Sequence, residues 1–147
     1  MFDRRESSGV EIELPCGQCV GCRLEYSRQW AMRCMHEASL WPENSYLTLT
    51  YGDGHLPVNG SLRKADFQKF MKRLRKKNPG KRIRYYQCGE YGEELKRPHY
   101  HALLFNHAFE DQQFFKMSNG HRLFVSEQLN KLWGMGHCYI GDVTFES

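Results

Sequence analysis

Two hydrophobic periodicities divide the chain into strands and helices. Short aromatic and β-branched runs, several alternating with polar residues, predict strands at residues 46–51, 82–89, 98–106 and 137–145. Apolar residues at three- and four-residue spacing predict helices at residues 23–39, 62–77 and 126–133. After the first helix the order is β-α-β-β-α-β. This order predicts an α+β fold of the ferredoxin-like, split-βαβ type, in which an antiparallel sheet carries helices on one face.

The length of 147 residues fits a single domain, residues 1–147, with enough material for a buried core. Within it we expect a polar N-terminus with a cysteine cluster (1–22), a helix (23–39) and the ferredoxin-like core (46–147). No apolar run approaches the roughly 18 residues of a membrane span, and the N-terminus lacks the apolar segment of a signal peptide. We therefore expect a cytoplasmic protein without a membrane partner, whose six cysteines are thiols or metal ligands.

The strand at residues 98–106 begins at Pro98, a residue that can open a strand but cannot lie inside one. Side chains alternate across a strand, so His99 and His101 share one face, with Cβ atoms about 7 Å apart. Two imidazoles at this spacing can converge on one metal ion, although two half-buried structural histidines would give the same pattern. The alternate residues are expected to face the helices: Tyr100, Ala102 and Leu104.

A carboxylate can complete this pair. Glu90 lies at the end of the preceding strand, and a hairpin between the two strands would return it to the side of His99. Glu90, His99 and His101 then form a three-ligand site with open coordination positions. Nitrogen and oxygen ligands suit Mn²⁺, Mg²⁺, Zn²⁺ or Fe²⁺. The open positions indicate catalysis rather than structural support, because structural zinc sites are usually closed.

Several short motifs resemble those of known replication proteins. Gly89–Gly92, followed by His-x-His at residues 99–101, resembles the metal motif of the HUH endonucleases, which initiate rolling-circle replication. More narrowly, three segments resemble the replication initiators of small single-stranded DNA phages of the gokushovirus type: Pro15–Arg23, Tyr46–Tyr51 and Arg97–His101. The resemblance extends from about Pro15 to the last residue.

This resemblance implies a protein that nicks one DNA strand at a replication origin. A tyrosine attacks the scissile phosphate, a 5′-phosphotyrosine forms, and a free 3′-hydroxyl primes synthesis. It implies Mn²⁺ or Mg²⁺ at Glu90, His99 and His101, acting as a Lewis acid on the phosphate. The implied partners are the single-stranded DNA of the origin and the host replication machinery, in the host cell cytoplasm if the protein is viral.

The resemblance also bears on the nucleophile. In these families the tyrosine lies on a helix that follows the last strand of the sheet. The last predicted strand ends near Phe145, so we expect that helix to lie beyond Ser147 and leave the catalytic residue unassigned. Tyr91 in the hairpin and Tyr139 early in the last strand are weaker candidates, because each needs a special loop geometry to reach the metal.

Positive charge is concentrated in one region. Eleven of the twenty-one Lys and Arg residues lie between Arg63 and Arg84, where Asp66 is the only acid. This distribution favours a phosphate-binding surface over a solvated helix face, on which acids usually alternate with lysines. The candidate DNA-binding residues are Lys69, Lys72, Arg73, Lys76, Arg82 and Arg84. The candidates for base stacking, which could equally be core residues, are Tyr51, Tyr85 and Tyr86.

Cys16, Cys19 and Cys22 recur at three-residue steps. Thiolates at this spacing often hold zinc, and a closed site needs a fourth ligand, which Cys34 or His36 could supply. Outside this run the sequence contains no further Cys-x-x-Cys pair. Reduced thiols packed in the core are therefore an equal alternative to structural zinc.

Three other interpretations of the whole chain stay open. Two histidines and one carboxylate also bind iron in oxygenases, although those enzymes have a different fold and no use for a basic helix. A non-catalytic zinc-containing nucleic-acid-binding module would use the cysteines for zinc and the histidines for structure. A purely structural scaffold is the third interpretation, and the concentrated basic face argues against it.

Overall fold

The computed structural model of the protein describes residues 4–7, 10–93 and 95–145. Its helices are α1 (Val20–Ser39), α2 (Lys64–Lys77) and α3 (Glu127–Trp133). Its strands are β1 (Arg4–Ser7), β2 (Val10–Glu13), β3 (Asn44–Thr50), β4 (Arg84–Tyr91), β5 (Pro98–Phe105), β6 (Gln113–Ser118), β7 (His121–Val125) and β8 (Cys138–Gly141). None of the described helices is both long and apolar enough to cross a membrane.

Strands β3 to β8 form an antiparallel sheet in the order β4-β5-β3-β8-β7-β6, and β1 and β2 form a separate hairpin. Because β5 is antiparallel to both of its neighbours, β3 and β4 run parallel with β5 between them. The predicted α+β class is confirmed. The order of β3, β4, β5 and β8 agrees with the predicted split-βαβ arrangement, in which the crossover from β3 to β4 passes through α2.

Helices α2 and α3 pack on one face of the sheet. The apolar stripe of α2 at Phe67, Phe70 and Leu74 lies in the same core as Trp133 of α3. The sheet contributes the alternate residues of β5 to this core, as the sequence predicts: Tyr100, Ala102 and Leu104. The odd-numbered residues of β5, which include both candidate metal-binding histidines, therefore face away from α2.

Helix α1 covers part of that opposite face. Its residues Cys34 and Ala38 pack on Leu103 and Phe105 of β5 in a second, smaller core. The two helices of the β-α-β-β-α-β unit thus share one face, as predicted, and the preceding helix packs against the other. His99 and His101 lie on the same face of β5 but outside this smaller core.

The outer hairpin of β6 and β7 is absent from the predicted elements, which assign this region to a polar loop. Its aromatic residues are mostly exposed, and a bulge between Phe114 and Lys116 interrupts the register with β7. The alternation of apolar and polar residues that would predict these two strands is therefore weak. The last strand is also shorter than predicted, because β8 ends at Gly141 rather than near Phe145.

His107 is a buried histidine that makes the fold sensitive to acid. Its side chain is 3 % exposed, and neither ring nitrogen has a hydrogen-bond partner among the described residues. Burial, and secondarily the charge of Lys81, lowers the pKa of His107 to about 4. The unfolded chain, with a histidine pKa near 6.5, binds more protons between these two values. Stability therefore falls as the pH drops through this window.

We expect His107→Leu to remove this dependence, since leucine has no charge to acquire and no orphaned polar atom. The native protein should lose roughly 3 kcal/mol more than the variant between pH 7 and pH 4. Urea unfolding at several pH values measures this difference. Parallel stability–pH curves for the two proteins would show that His107 titrates normally in the folded state.

Candidate metal centre

The β4–β5 hairpin brings three candidate metal ligands together. Glu90 and His99 are direct cross-strand partners, and the register next places Cys88 opposite His101. Because alternate residues share a face, Glu90 and both histidines project from the same side of the sheet. This is the hairpin geometry that the sequence predicts.

The distances within this group suit one metal ion. The Oε2 atom of Glu90 lies 3.5 Å from Nε2 of His99 and 3.2 Å from Nε2 of His101. Ligands held about 2.1 Å from a common ion are about 3.0 to 3.4 Å apart in octahedral or tetrahedral geometry. The three side chains therefore need little rearrangement to share an ion. The exposure of Glu90, 57 % of its side chain, leaves the outer coordination positions open to a substrate.

The second nitrogen of each imidazole has a partner of its own. Nδ1 of His99 lies 3.2 Å from the carbonyl oxygen of Arg97, and Nδ1 of His101 lies 2.7 Å from the hydroxyl of Tyr46. A carbonyl can only accept, so His99 carries its proton on Nδ1 and presents a free lone pair on Nε2. Outer contacts of this kind orient metal-binding histidines in proteins.

Electrostatics keep His101 in the form that binds metal. Burial, followed by the neighbouring His99, lowers the pKa of His101. The neutral imidazole is therefore favoured at physiological pH, and only neutral imidazole binds a cation. Burial likewise raises the pKa of Tyr46 to about 12, with smaller contributions from Cys88 and Glu90. Tyr46 thus remains a neutral phenol.

Tyr46 and Thr48 belong to this site and are not among the predicted site residues. The Tyr46 ring lies parallel to that of His101, with centroids 5.4 Å apart, and Thr48 Oγ1 lies 3.2 Å from His101 Nδ1. Both residues occupy alternate positions of a predicted strand, which is the available signal. What that signal lacks is the pairing of β3 with β5, which sets Thr48 opposite His101.

We expect Tyr46→Phe to weaken divalent-metal binding about tenfold, because the His101 ring loses its closest orienting partner. Thr48 remains within reach of Nδ1 and limits the effect. Mn²⁺ titration measures it, with Tyr139→Phe on the same face as the control. Equal Mn²⁺ affinities of the native protein and Tyr46→Phe would show that the Tyr46 hydroxyl does not orient His101 for metal binding.

Neither candidate nucleophile reaches the metal group. The Tyr91 hydroxyl accepts a hydrogen bond from the backbone N–H of Leu62, on the opposite side of the sheet. Tyr139 does lie on the histidine face, opposite Thr48, but two strands from His101, or about 10 Å. Its ring stacks on Phe115, with centroids 5.7 Å apart.

The predicted DNA-binding residues are not brought together with the metal group. Lys69, Lys72 and Lys76 are exposed on α2, which lies across the sheet from the histidines. Arg73 instead donates hydrogen bonds to the carbonyl oxygens of Leu132 and Trp133, at 2.7 and 3.1 Å, and so helps to join α2 to α3.

The other two predicted DNA-binding residues, Arg82 and Arg84, lie at the start of β4 rather than on α2. Arg84 shares the face of Glu90 but pairs with Glu37 of α1, at 2.9 Å. Arg82 is exposed just before the strand begins. These positions make Arg84 a link between α1 and the sheet.

Of the three aromatic candidates for base stacking, Tyr86 alone faces the histidine side of the sheet. Its ring stacks on Trp30 of α1, with centroids 5.2 Å apart. Tyr51 is buried, and its hydroxyl donates to Asp66, which excludes it from contact with DNA. Tyr85 contacts Phe67 on the α2 side. Trp30 of α1, which stacks on Tyr86, is not among the predicted stacking residues.

The cysteines of the N-terminal motif form a second group that could hold a metal ion: Cys16, Cys19 and Cys22. Cys34 is not part of it, because it lies twelve positions after Cys22 on the same helix, or about 18 Å along its axis. His36 lies further along α1 still. Both predicted fourth ligands are therefore too distant. Backbone N–H groups of Cys19 and Gln18 lower the pKa of Cys16 to about 6.

Comparison with known proteins adds a family assignment. Residues 44–147 match the sequence profile of a family described as Replication-associated protein ORF2. The chain is 39 % identical to replication-associated protein VP4 of Bdellovibrio phage phiMH2K, over 94 % of the chain and 46 % of that protein. It is 34 % identical to replication-associated protein ORF2 of Spiroplasma virus 4, over 99 % of the chain and 48 % of that protein.

A third relative is replication-associated protein ORF4 of Chlamydia phage 1, with 31 % identity over 89 % of the chain and 35 % of that protein. The chain thus spans less than half the length of these curated relatives. No solved structure matches it.

Proposed function

Because the chain belongs to the replication-associated protein ORF2 family, we propose that it initiates rolling-circle replication of a single-stranded DNA phage by metal-dependent nicking of one strand. The observation that carries this proposal is the convergence of Glu90, His99 and His101 on one face of the sheet. The family match argues against an iron oxygenase. The proposed setting is the cytoplasm of the host cell, with origin DNA and the host replication machinery as partners.

The residues of the site fit a divalent ion, Mn²⁺ or Mg²⁺, in both ligand type and separation. Such an ion supplies Lewis acidity, which polarises the scissile phosphate and stabilises the leaving oxygen. Glu90 contributes the negative charge that a divalent cation needs. Tyr46 and Arg97 hold the two imidazoles in fixed orientations, so the open side of the group faces the phosphate.

Single-stranded DNA has a route away from this group. A cavity of about 220 Å³ beside Glu90 and His101 is also lined by Tyr86 and Leu103. The same two residues line a second cavity of about 240 Å³ beneath Trp30 of α1. An unpaired base can extend the stack of Trp30 on Tyr86, a contact that tolerates any base. We therefore propose that nucleotides next to the scissile phosphate occupy these two cavities, which share Tyr86 and Leu103.

We place the attacking tyrosine outside the described residues. The Tyr91 hydroxyl lies on the wrong face, and Tyr139 is two strands from His101. Tyr46 is close, but its hydroxyl contacts Nδ1 of His101, the nitrogen turned away from Glu90. The Tyr86 ring is held in a stack with Trp30. We therefore propose that a further segment supplies the attacking tyrosine.

A strand-transfer assay tests this proposal. Labelled single-stranded oligonucleotides that tile the genome carrying this gene are incubated with protein and Mn²⁺. The 147-residue chain is expected to bind DNA without a covalent adduct, and a version extended by a segment that supplies the tyrosine is expected to form one. Alanine at His99 and His101 should abolish the adduct. An adduct of the 147-residue chain mapped to Tyr91 or Tyr139 would overturn the assignment of the nucleophile.

A further inference from the structure

The cysteine group at the start of α1 plays no part in the proposed nicking reaction, and its geometry is that of a metal site. The Sγ atoms of Cys16 and Cys22 are 3.9 Å apart, and all three sulfur atoms lie within 4.8 Å of one another. Four sulfur ligands held about 2.3 Å from a tetrahedral Zn²⁺ ion are about 3.8 Å apart. We propose that Cys16, Cys19 and Cys22 bind one Zn²⁺ ion at the N-terminus of α1.

The backbone is already folded around these sulfur atoms. The N–H of Cys19 points at Sγ of Cys16 and the N–H of Cys22 at Sγ of Cys19, both at 3.4 Å. Gly17 adopts a φ of 72°, which side chains other than glycine rarely tolerate, and so allows the turn after Cys16. Backbone N–H donors stabilise the negative charge that a thiolate carries as a ligand.

The close spacing favours one ion over an iron–sulfur cluster. The run Cys-x-x-Cys-x-x-Cys also occurs in proteins that bind [4Fe–4S] clusters. In a cluster each thiolate binds a different iron, which places the sulfur atoms further apart than ligands of a single ion. The 3.9 Å separation of Cys16 from Cys22 matches the single ion.

The fourth coordination position belongs to solvent. Among the described residues, no further His, Cys, Asp or Glu joins the three cysteines. Cys19 is exposed, so water can reach the ion. The ion would tie the segment at Pro15 to the first turn of α1, the helix that carries Trp30 to the sheet.

Metal analysis of the purified chain tests the proposal. Protein that is expressed in zinc-supplemented medium and passed through a chelating column should retain about one Zn²⁺ per chain. Cys19→Ser should lower zinc affinity at least about 100-fold, since one of three thiolate ligands is lost. Cys88→Ser is the matched control, because Cys88 is exposed but lies on β4, outside the group.

Folding of both variants is monitored by circular dichroism. If Cys19→Ser does not fold, native protein treated with a thiol-modifying reagent replaces it and should release its zinc. Protein that retains no zinc overturns the proposal. So does zinc retained equally by Cys19→Ser and Cys88→Ser, or iron and sulfide with visible absorbance.

Discussion

Replacing both His99 and His101 with alanine should abolish tight Mn²⁺ binding, with a loss of affinity of at least about 100-fold. The two imidazoles supply both nitrogen ligands, and a lone carboxylate at Glu90 retains only weak attraction for a hydrated cation. The fold should persist. The two side chains are 20 % and 21 % exposed and lie outside the apolar core, so alanine creates no buried cavity.

Electron paramagnetic resonance of Mn²⁺ provides the measurement, because bound and free ions give different signals. His55→Ala is the matched control, since His55 is exposed in a loop outside the group. Circular dichroism confirms that each variant is folded. Undiminished Mn²⁺ binding in a folded double variant would show that Glu90, His99 and His101 do not form the Mn²⁺ site.

Reversing charge on α2 at Lys72 and Lys76 should weaken binding of every DNA sequence alike, by about 50-fold at roughly 0.1 M salt. Each neutralised phosphate releases counterions, so the slope of log affinity against log salt concentration should fall by about 2. Mn²⁺ binding should not change, because α2 and the metal group lie on opposite sides of the sheet. The proposed role of α2 is thus to hold flanking DNA.

Fluorescence anisotropy with a labelled oligonucleotide at several salt concentrations measures this effect. A double variant with the same change in net charge, Lys116→Glu with Lys131→Glu, is the control. Equal losses in the two variants would mean that DNA responds to net charge alone. Unchanged binding in both would show that α2 faces solvent without a nucleic-acid partner.

The side-chain alternation of strands makes the core of the metal site predictable. Two histidines at i and i+2 must share a face, and Pro98 fixes where their strand can begin. A short hairpin then leaves few positions for Glu90. The apolar stripe of α2 is equally local, since Phe67, Phe70 and Leu74 recur at helical spacing. These features depend on residues close together in the sequence.

Features that depend on distant pairing are not predictable in this way. Tyr46 reaches His101 only because β3 pairs with β5 in one register, across 55 residues of chain. The packing of α1 on the histidine face depends on Leu103 and Phe105, which look like ordinary core residues. By sequence Arg73 is one more member of the basic cluster, and only the packing of α3 places two carbonyl oxygens beside it.

Coupling between metal and DNA binding tests the central claim most directly. If the ion held by Glu90, His99 and His101 contacts a phosphate, Mn²⁺ and single-stranded DNA must strengthen each other's binding equally. We expect Mn²⁺ to raise DNA affinity of the native chain about tenfold, a coupling of about 1.4 kcal/mol. The His99→Ala, His101→Ala variant should show no increase, which also controls for screening by the added salt. Equal DNA affinity with and without Mn²⁺ in the native chain would contradict the account and favour a non-catalytic nucleic-acid-binding module.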